Sequence, residues 1–155
     1  EAMTKQTELT GREKLKLLVS DRPWDNEPDD AEWFDEDTKY MCQIRRNVNL
    51  SLCGYVGIPK GHPLWGVKYD DAYDNLESLT VHGGLTYSEE EEDGWWWFGF
   101  DCAHAGDLVP YSLIYNTHTR DGVYRTWEYV EREVRDLSRQ LKLVENLENN
   151  LVSNV

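Results

Sequence analysis

The residues of this sequence that could do chemistry concentrate in two glycine-containing segments. The segment "WWWFGFDCAHAGD" supplies Asp101, Cys102, His104 and Asp107, and the segment "TVHGGL" supplies His82. Carboxylates, imidazoles and thiols are the side chains that bind metals, transfer protons or attack substrates. Their types and spacing allow three kinds of site.

The first kind of site is a metal centre. Asp101 and His104 have D-x-x-H spacing, and with His82 they could hold zinc or another divalent ion with an open position for water. The HExxH motif is absent, and DCAH alone is a weak signal. The pattern therefore allows a divalent metal with these three candidate ligands, but it does not identify a cofactor.

The second kind of site performs acid–base or nucleophilic chemistry without a metal. Cys102, His104 and Asp107 are the residue types of a Cys-His-Asp set, but catalytic partners usually lie far apart in sequence. His82 with Asp101 is the more credible pairing of a base with the group that orients it. The candidate catalytic residues are therefore His82, Asp101 and His104.

The third kind of site is a binding pocket that does no chemistry. Tryptophans could stack on a planar ring, and the Gly83–Gly84 amides with nearby basic side chains could bind phosphate. The loop "GIPKGHPLWG" adds two basic side chains between glycines and prolines. The candidate ligand-binding residues are Lys60, His62, Gly83, Gly84, Cys102 and Asp107. The plain alternative is a buried structural hydrogen bond between His82 and Asp101, with the tryptophans in the core.

Two predicted strands must position these groups. Residues 79–87 and 95–101 flank a short charged turn and should pair as an antiparallel hairpin. With a turn centred near residue 91, residue 82 would lie opposite residue 100, where cross-strand neighbours are about 5 Å apart. This register would place His82 beside Asp101 or Cys102.

The remaining pattern predicts the fold class. Residues 40–47 and 49–58 favour a second hairpin, and residues 10–20 favour a short helix. Residues 21–39 are rich in acids and contain two prolines, which predicts an irregular loop. We expect three aromatic residues of this loop, Trp24, Trp33 and Phe34, to dock on the domain.

A long amphipathic helix ends the predicted fold. Its apolar stripe has alternating spacings of four and three residues: Val123, Trp127, Val130, Val134, Leu137, Leu141 and Val144. We predict a single α+β domain over residues 10–145, with a mainly antiparallel sheet packed by this C-terminal helix. Residues 1–9 should be a flexible N-terminus and residues 146–155 a frayed tail. Whether the stripe packs internally or pairs two chains is left open, as is the oligomeric state.

Composition limits the classes of function. The chain has 155 residues and a formal net charge of −14, which argues against direct binding to nucleic acid. The charge is compatible with a basic protein partner or with mimicry of a nucleic acid surface. No apolar run approaches the roughly 20 residues that span a bilayer. The three cysteines lack CxxC spacing, and the polar N-terminus does not resemble a signal peptide, so we expect a cytoplasmic protein.

Four segments, in this order, resemble a group of small uncharacterised proteins encoded by bacteriophages and prophages. They are "LCGYVGIPKGHPLWG", "VHGGLTYS", "WWWFGFDCAHAGDL" and "YRTWEYVEREVRDLSRQL", and the resemblance covers roughly residues 28–142. It implies context, namely a phage-encoded accessory protein in the cytosol of the host cell and not a virion component. It supplies no activity or catalytic residue.

These observations predict two functions from different classes. The first is a small polar pocket at the end of the "HGG" and "FDCAH" segments that binds, or hydrolyses, a phosphate-bearing small molecule. The alternative is an acidic inhibitor of a host nucleic-acid-processing or defence enzyme, of the anti-restriction or anti-CRISPR type. The expected partner is accordingly a small molecule or a host protein.

Overall fold

Five antiparallel strands form the sheet on which the rest of the molecule is built. The computed structural model describes residues 7–70, 79–115 and 121–153. The strands are β1 (Asp30–Asp35), β2 (Tyr40–Arg46), β3 (Leu52–Ile58), β4 (Tyr87–Glu90) and β5 (Trp96–Asp101), in the spatial order β1-β2-β3-β5-β4. The predicted hairpin of residues 40–47 and 49–58 is confirmed, and it forms β2 and β3.

Within the described residues, three α-helices and a short 3-10 helix at Pro23–Asn26 accompany the sheet. The α-helices are α1 (Gly11–Leu18), α2 (Ser112–Tyr115) and the 27-residue α3 (Trp127–Ser153). α1 begins with a capping box, in which Thr10 and Glu13 each bond the other's backbone N–H. With α3 packed on the sheet, the prediction of a single α+β domain is confirmed.

The core lies between α3 and one face of the sheet. Alternate residues of β2, β3 and β5 point to this face, and they are Tyr40, Cys42, Ile44, Leu52, Val56, Ile58, Trp96, Phe98 and Phe100. The stripe of α3 meets them with Val130, Val134, Leu137 and Leu141, which are completely buried. Gly54 allows this close approach, because a Cβ there would lie 2.5 Å from both Val134 and Phe100. The periodic stripe therefore packs internally, as an antiparallel sheet with one covered face requires.

The first and last residues of α3 differ from those of the helix that the sequence predicts. Val123 lies before the helix and is 55% exposed, and it forms an isolated bridge with Asp107. The helix continues to Ser153, through the segment for which the sequence predicts fraying. Residues 1–6 of the expected flexible N-terminus lie outside the described residues.

The strand predicted at residues 79–87 is wrong for most of its length. Only Tyr87–Glu90 is strand, because Gly83 and Gly84 have φ values of 68° and 81°, which an extended strand cannot contain. Tyr87 pairs with Gly99, so the turn is centred two residues later than expected. If the pairing of β4 with β5 is extended from Tyr87 towards the N-terminus, residue 82 falls opposite residue 104 and not opposite residue 100.

The acidic segment is also more regular than predicted. Residues 30–35 form β1, whose side chains alternate between exposed and half-buried, whereas Pro23 and Pro28 lie before it. The expected docking holds for Trp24, which is buried, and for Trp33, which packs against the core. It does not hold for Phe34, which is 42% exposed on the far side of β1.

A buried ion pair joins the acidic segment, the sheet and α3. The Arg46 side chain is 2% exposed, and its Nη2 lies 3.3 Å from Glu27 Oε1 and its Nε 2.9 Å from Asp29 Oδ1. The other oxygen of Glu27 accepts a hydrogen bond of 2.8 Å from the backbone N–H of Trp127, the first residue of α3. Tyr124 donates its hydroxyl to Glu27 and accepts from Arg46. One carboxylate therefore links β2 to the start of the long helix.

We expect Glu27→Gln to lower the free energy of unfolding by about 2 kcal/mol, because it removes the more buried of the two carboxylate charges that pair with Arg46 and weakens the acceptor for the first N–H of α3. Denaturant unfolding followed by tryptophan fluorescence measures the change. Glu36→Gln is the matched control, since Glu36 pairs with Lys39 on the surface and should leave stability unchanged. Equal stabilities of the two variants would show that the network makes no net contribution.

Candidate functional site

The buried carboxylate of Asp107 is the centre of the predicted site. Its side chain is 1% exposed, and Oδ2 accepts hydrogen bonds from His82 Nε2 at 2.8 Å and from the His104 backbone N–H at 3.0 Å. Arg125 Nε donates to Oδ1 at 3.0 Å. Burial alone would raise the pKa of Asp107, but the bonds from His82 and Arg125 outweigh burial and hold this pKa below its ordinary value. Asp107 is therefore an ionised anchor for three separate donors.

His82 connects this anchor to the long helix. Because Nε2 donates to Asp107, the ring is fixed in orientation, and Nδ1 shares a hydrogen bond of 2.8 Å with the Tyr129 hydroxyl. Arg125 completes the arrangement by lying 4.9 Å from the centre of the Tyr129 ring. Both nitrogens of His82 thus have protein partners, and the ring is only 12% exposed.

His104 is bound less completely than His82. Its Nε2 lies 3.3 Å from Asp101 Oδ1 without the alignment of a hydrogen bond, and this nitrogen is buried. The same ring edge lies against Gly83, where a Cβ would come within 2.1 Å of the imidazole. Glycine is therefore required at residue 83 for His104 to occupy this place. The side chain as a whole is 31% exposed although Nε2 is buried, so its exposed surface belongs to other atoms of the side chain.

An open depression of about 600 Å³ lies beside His104. The loop of residues 103–107 forms one wall, and Asn49, Val109, Ser112, Asp121 and Gly122 complete the lining. The lining combines small apolar residues with a few polar side chains, and it contains the His104 imidazole but no tryptophan, in contrast with the tryptophan-lined pocket that the sequence suggested. Such a surface suits a ligand of modest size that has both polar and apolar groups.

The structure separates two predicted partners, His82 and Asp101. Asp101 accepts a hydrogen bond of 3.2 Å from the Thr86 hydroxyl and lies beside His104. The register explains this result, because residue 82 extrapolates to residue 104 and not to Asp101. Gly83 and Gly84 form the turn that carries His82, and Gly84 donates its own N–H to Val81.

Cys102 belongs to the core. It is 3% exposed, and burial, followed by the charge of Asp107, raises the pKa of its thiol. A buried thiol that stays protonated at neutral pH is a poor nucleophile. The Cys-His-Asp combination is therefore not assembled, although all three residues are close in sequence.

His62 lies against the middle of α3, and Lys60 lies beside Trp65. His62 is buried, its Nε2 lies 2.8 Å from the Leu141 carbonyl, and its Nδ1 accepts from the Leu64 N–H at 3.0 Å. Leu141 follows Tyr129 by twelve residues, which is about 18 Å along a helix. Lys60 lies over the Trp65 ring at 5.4 Å. The predicted basic loop therefore does not join the site around Asp107.

The sequence prediction missed Arg125 and Tyr129. Both contact the site directly, and both lie near the beginning of α3. Their i, i+4 spacing beside a predicted helix start was the available signal, since such residues share one face. Nothing in the local pattern indicated that this face would meet His82 and Asp107.

The predicted metal ligands are not arranged as a coordination set. Within residues 7–70, 79–115 and 121–153, no group of three or more His, Cys, Asp or Glu side chains could hold a metal ion. His82 is directed at Asp107 and Tyr129, and Asp101 at Thr86 and His104. The geometry supports hydrogen bonding and proton transfer more directly than metal coordination.

We expect Asp107→Asn to lower the free energy of unfolding by about 2 kcal/mol, because the amide NH₂ would face a donor and leave it buried without an acceptor. Denaturant unfolding measures the loss. Asp101→Asn is the control, since the amide oxygen can still accept the Ala103 N–H that Asp101 accepts now. A similar small change in both variants would contradict a structural role for Asp107.

His62 makes stability depend on pH. Burial lowers the pKa of His62 below its ordinary value of 6.5, because a buried ring loses the water that would stabilise its charged form. Protonation would also turn the Nδ1 acceptor into a donor that faces the Leu64 N–H. The unfolded chain therefore takes up this proton first, and stability is full above pH 6.5 and falls as the pH drops below it. Urea unfolding at a series of pH values should show a smaller decline for His62→Asn than for the parent protein. An identical decline would assign the pH dependence to another group.

The comparisons with known proteins leave the family open. The chain matches no protein-family model, no curated protein and no solved structure. The resemblance to phage-encoded proteins therefore stays a prediction. None of the helices in the described part of the chain is long and apolar enough to cross a membrane.

Proposed function

We propose that the depression beside His104 binds a small phosphate-bearing molecule. The observation that carries this proposal is the placement of the His104 side chain, whose buried Nε2 lies against Gly83 and 3.3 Å from Asp101 while the side chain as a whole stays 31% exposed beside the depression. An imidazole N–H of His104 can donate a hydrogen bond to an anionic oxygen in the depression. The Asp107 network supports this arrangement by holding the His104 backbone in place.

The lining narrows the class of ligand. Asp121 and Asn49 belong to the part of the lining outside the loop of residues 103–107, and they offer acceptors that suit hydroxyl or amino groups. Because no tryptophan, tyrosine or phenylalanine lines the depression, it offers a nucleobase little stacking surface beyond the His104 imidazole. A sugar phosphate therefore fits the depression better than a nucleotide whose base must be bound.

The same residues support hydrolysis as an extension of binding. With Asp101 behind Nε2, His104 can donate a proton from its exposed edge to a leaving ester oxygen while water attacks phosphorus. The products would be inorganic phosphate and the free alcohol. This step needs no residue beyond those that bind the ligand.

We expect ribose 5-phosphate to bind more tightly than ribose or inorganic phosphate, since it engages both walls of the depression. Isothermal titration calorimetry measures the three affinities. His104→Ala should weaken binding of ribose 5-phosphate by at least about tenfold, the equivalent of one lost charge-assisted hydrogen bond.

Lys60→Ala is the matched control for this titration. Lys60 is a predicted phosphate donor that the structure places near Trp65, away from the depression, so its removal should leave the affinity unchanged. Thermal unfolding of each variant checks that the fold is retained. Failure of ribose 5-phosphate to bind, or equal losses in His104→Ala and Lys60→Ala, would overturn the proposal.

A further inference from the structure

The two edges of the sheet are protected to different degrees. At one edge, residues 68–70 run beside β4, and Tyr69 donates its backbone N–H to the Ser88 hydroxyl. At the other edge, β1 is the outermost strand of the described sheet. Unpaired backbone groups on an edge strand form a ready template for another strand.

The ladder shows which groups of β1 point outward. Arg46 donates its N–H to the Asp29 carbonyl, and antiparallel partners alternate between bonded and non-bonded pairs. From the register, Ala31, Trp33 and Asp35 bond to β2, and the backbone groups of Asp30, Glu32 and Phe34 point to the open edge.

The side chains of the outward-pointing residues are exposed as well. Asp30 presents a carboxylate, and Phe34 presents an aromatic ring that is 42% exposed. Glu32 is exposed as well, although one of its carboxylate oxygens accepts a hydrogen bond of 3.2 Å from Gln43 Nε2. The neighbouring acids Asp29 and Asp35 are committed to the fold, since the first binds Arg12 and Arg46 and the second accepts from Ser138. The surface available to a partner is therefore the β1 edge, defined by Asp30, Glu32 and Phe34.

We propose that the β1 edge binds an extended, basic segment of another protein as an added strand. Main-chain hydrogen bonds would supply affinity, lysine or arginine side chains would meet Asp30 and Glu32, and an apolar side chain would cover Phe34. A second copy of the chain fits less well, because pairing two β1 edges would bring carboxylates of like charge together.

This inference does not depend on the depression beside His104. It identifies a surface through which the alternative function, inhibition of a host enzyme, would act. Proteins that hold nucleic acid carry basic surfaces, so a nucleic-acid-processing enzyme is the partner class that the charge of −14 favours. An inhibitor acting in this way would compete with nucleic acid for that surface.

The probe is a fluorescent peptide of about ten residues that alternates lysine and valine. Anisotropy titrations should show binding that weakens between about 50 and 300 mM sodium chloride. A second peptide of the same sequence, N-methylated at every residue, keeps the charge but cannot donate a backbone N–H to β1. We expect it to bind at least about tenfold more weakly.

Two charge-reversed variants separate the β1 edge from general electrostatics. Asp30→Lys with Glu32→Lys should weaken binding of the first peptide by at least about tenfold. Glu89→Lys with Glu90→Lys makes the same change of net charge on β4 and should have a much smaller effect. Hydrogen exchange should show protection of the Asp30, Glu32 and Phe34 amides in the complex.

Equal binding of the two peptides, equal losses in the two variants, or no binding at the lower salt concentration would overturn the proposal. Sedimentation of the protein alone gives a further test. A dimer that dissociates on reversal of Asp30 and Glu32 would show that a second copy occupies the β1 edge and would contradict a basic partner.

Discussion

The shared carboxylate of Glu27 determines how the long helix meets the sheet. It pairs with the Arg46 guanidinium on β2 and accepts the first backbone N–H of α3. A carboxylate at a helix N-terminus also meets the positive end of the helix dipole. Because Arg125 and Tyr129 lie at this end of α3, the orientation of the groups around Asp107 depends on the same contact. The site is thus positioned by a residue from a segment that looks like a solvated acidic loop in the sequence.

Polar contacts along α3 then fix its register against the sheet. Ser138 bonds to Asp35 and lies 2.7 Å from the Thr38 hydroxyl, and Glu145 accepts the hydroxyl of Tyr40. The apolar stripe alone would tolerate rotation or sliding of the helix, since hydrophobic burial is not directional. Buried hydrogen bonds remove that freedom, because a shifted helix would leave several polar groups without partners.

Much of the fold could be predicted from periodicity, because period-two and period-3.6 patterns report local geometry. The β2–β3 hairpin and α3 carry such patterns clearly. The register of β4 against β5 could not be predicted in this way, since it depends on where the turn closes and how Gly83 and Gly84 bend the chain. An error of two residues at the turn centre was enough to exchange Asp101 for Asp107 as the partner of His82.

The contents of the site depended on contacts between distant parts of the chain. Asp107 was a candidate, but Arg125 and Tyr129 reach it from a helix whose placement no local pattern fixes. His62 is the reverse case, since its position between glycine and proline indicated a binding loop and its burial beneath α3 makes it a structural residue. Residue type and spacing therefore identified the chemistry available, whereas tertiary packing decided which groups share a site.

The net charge bears on function only when the acids that are bonded within the fold are separated from those that are exposed. Glu27, Asp29, Asp35, Asp107 and Glu145 each hold a hydrogen bond or ion pair that joins separate elements. These carboxylates contribute to the total of −14, but their charges are used within the fold. The exposed acids remain available to a partner, and they include Asp30 and Glu32 on β1 and Glu89 and Glu90 on β4. The strand that appeared irregular in the sequence therefore presents one part of the negative charge that is available for recognition.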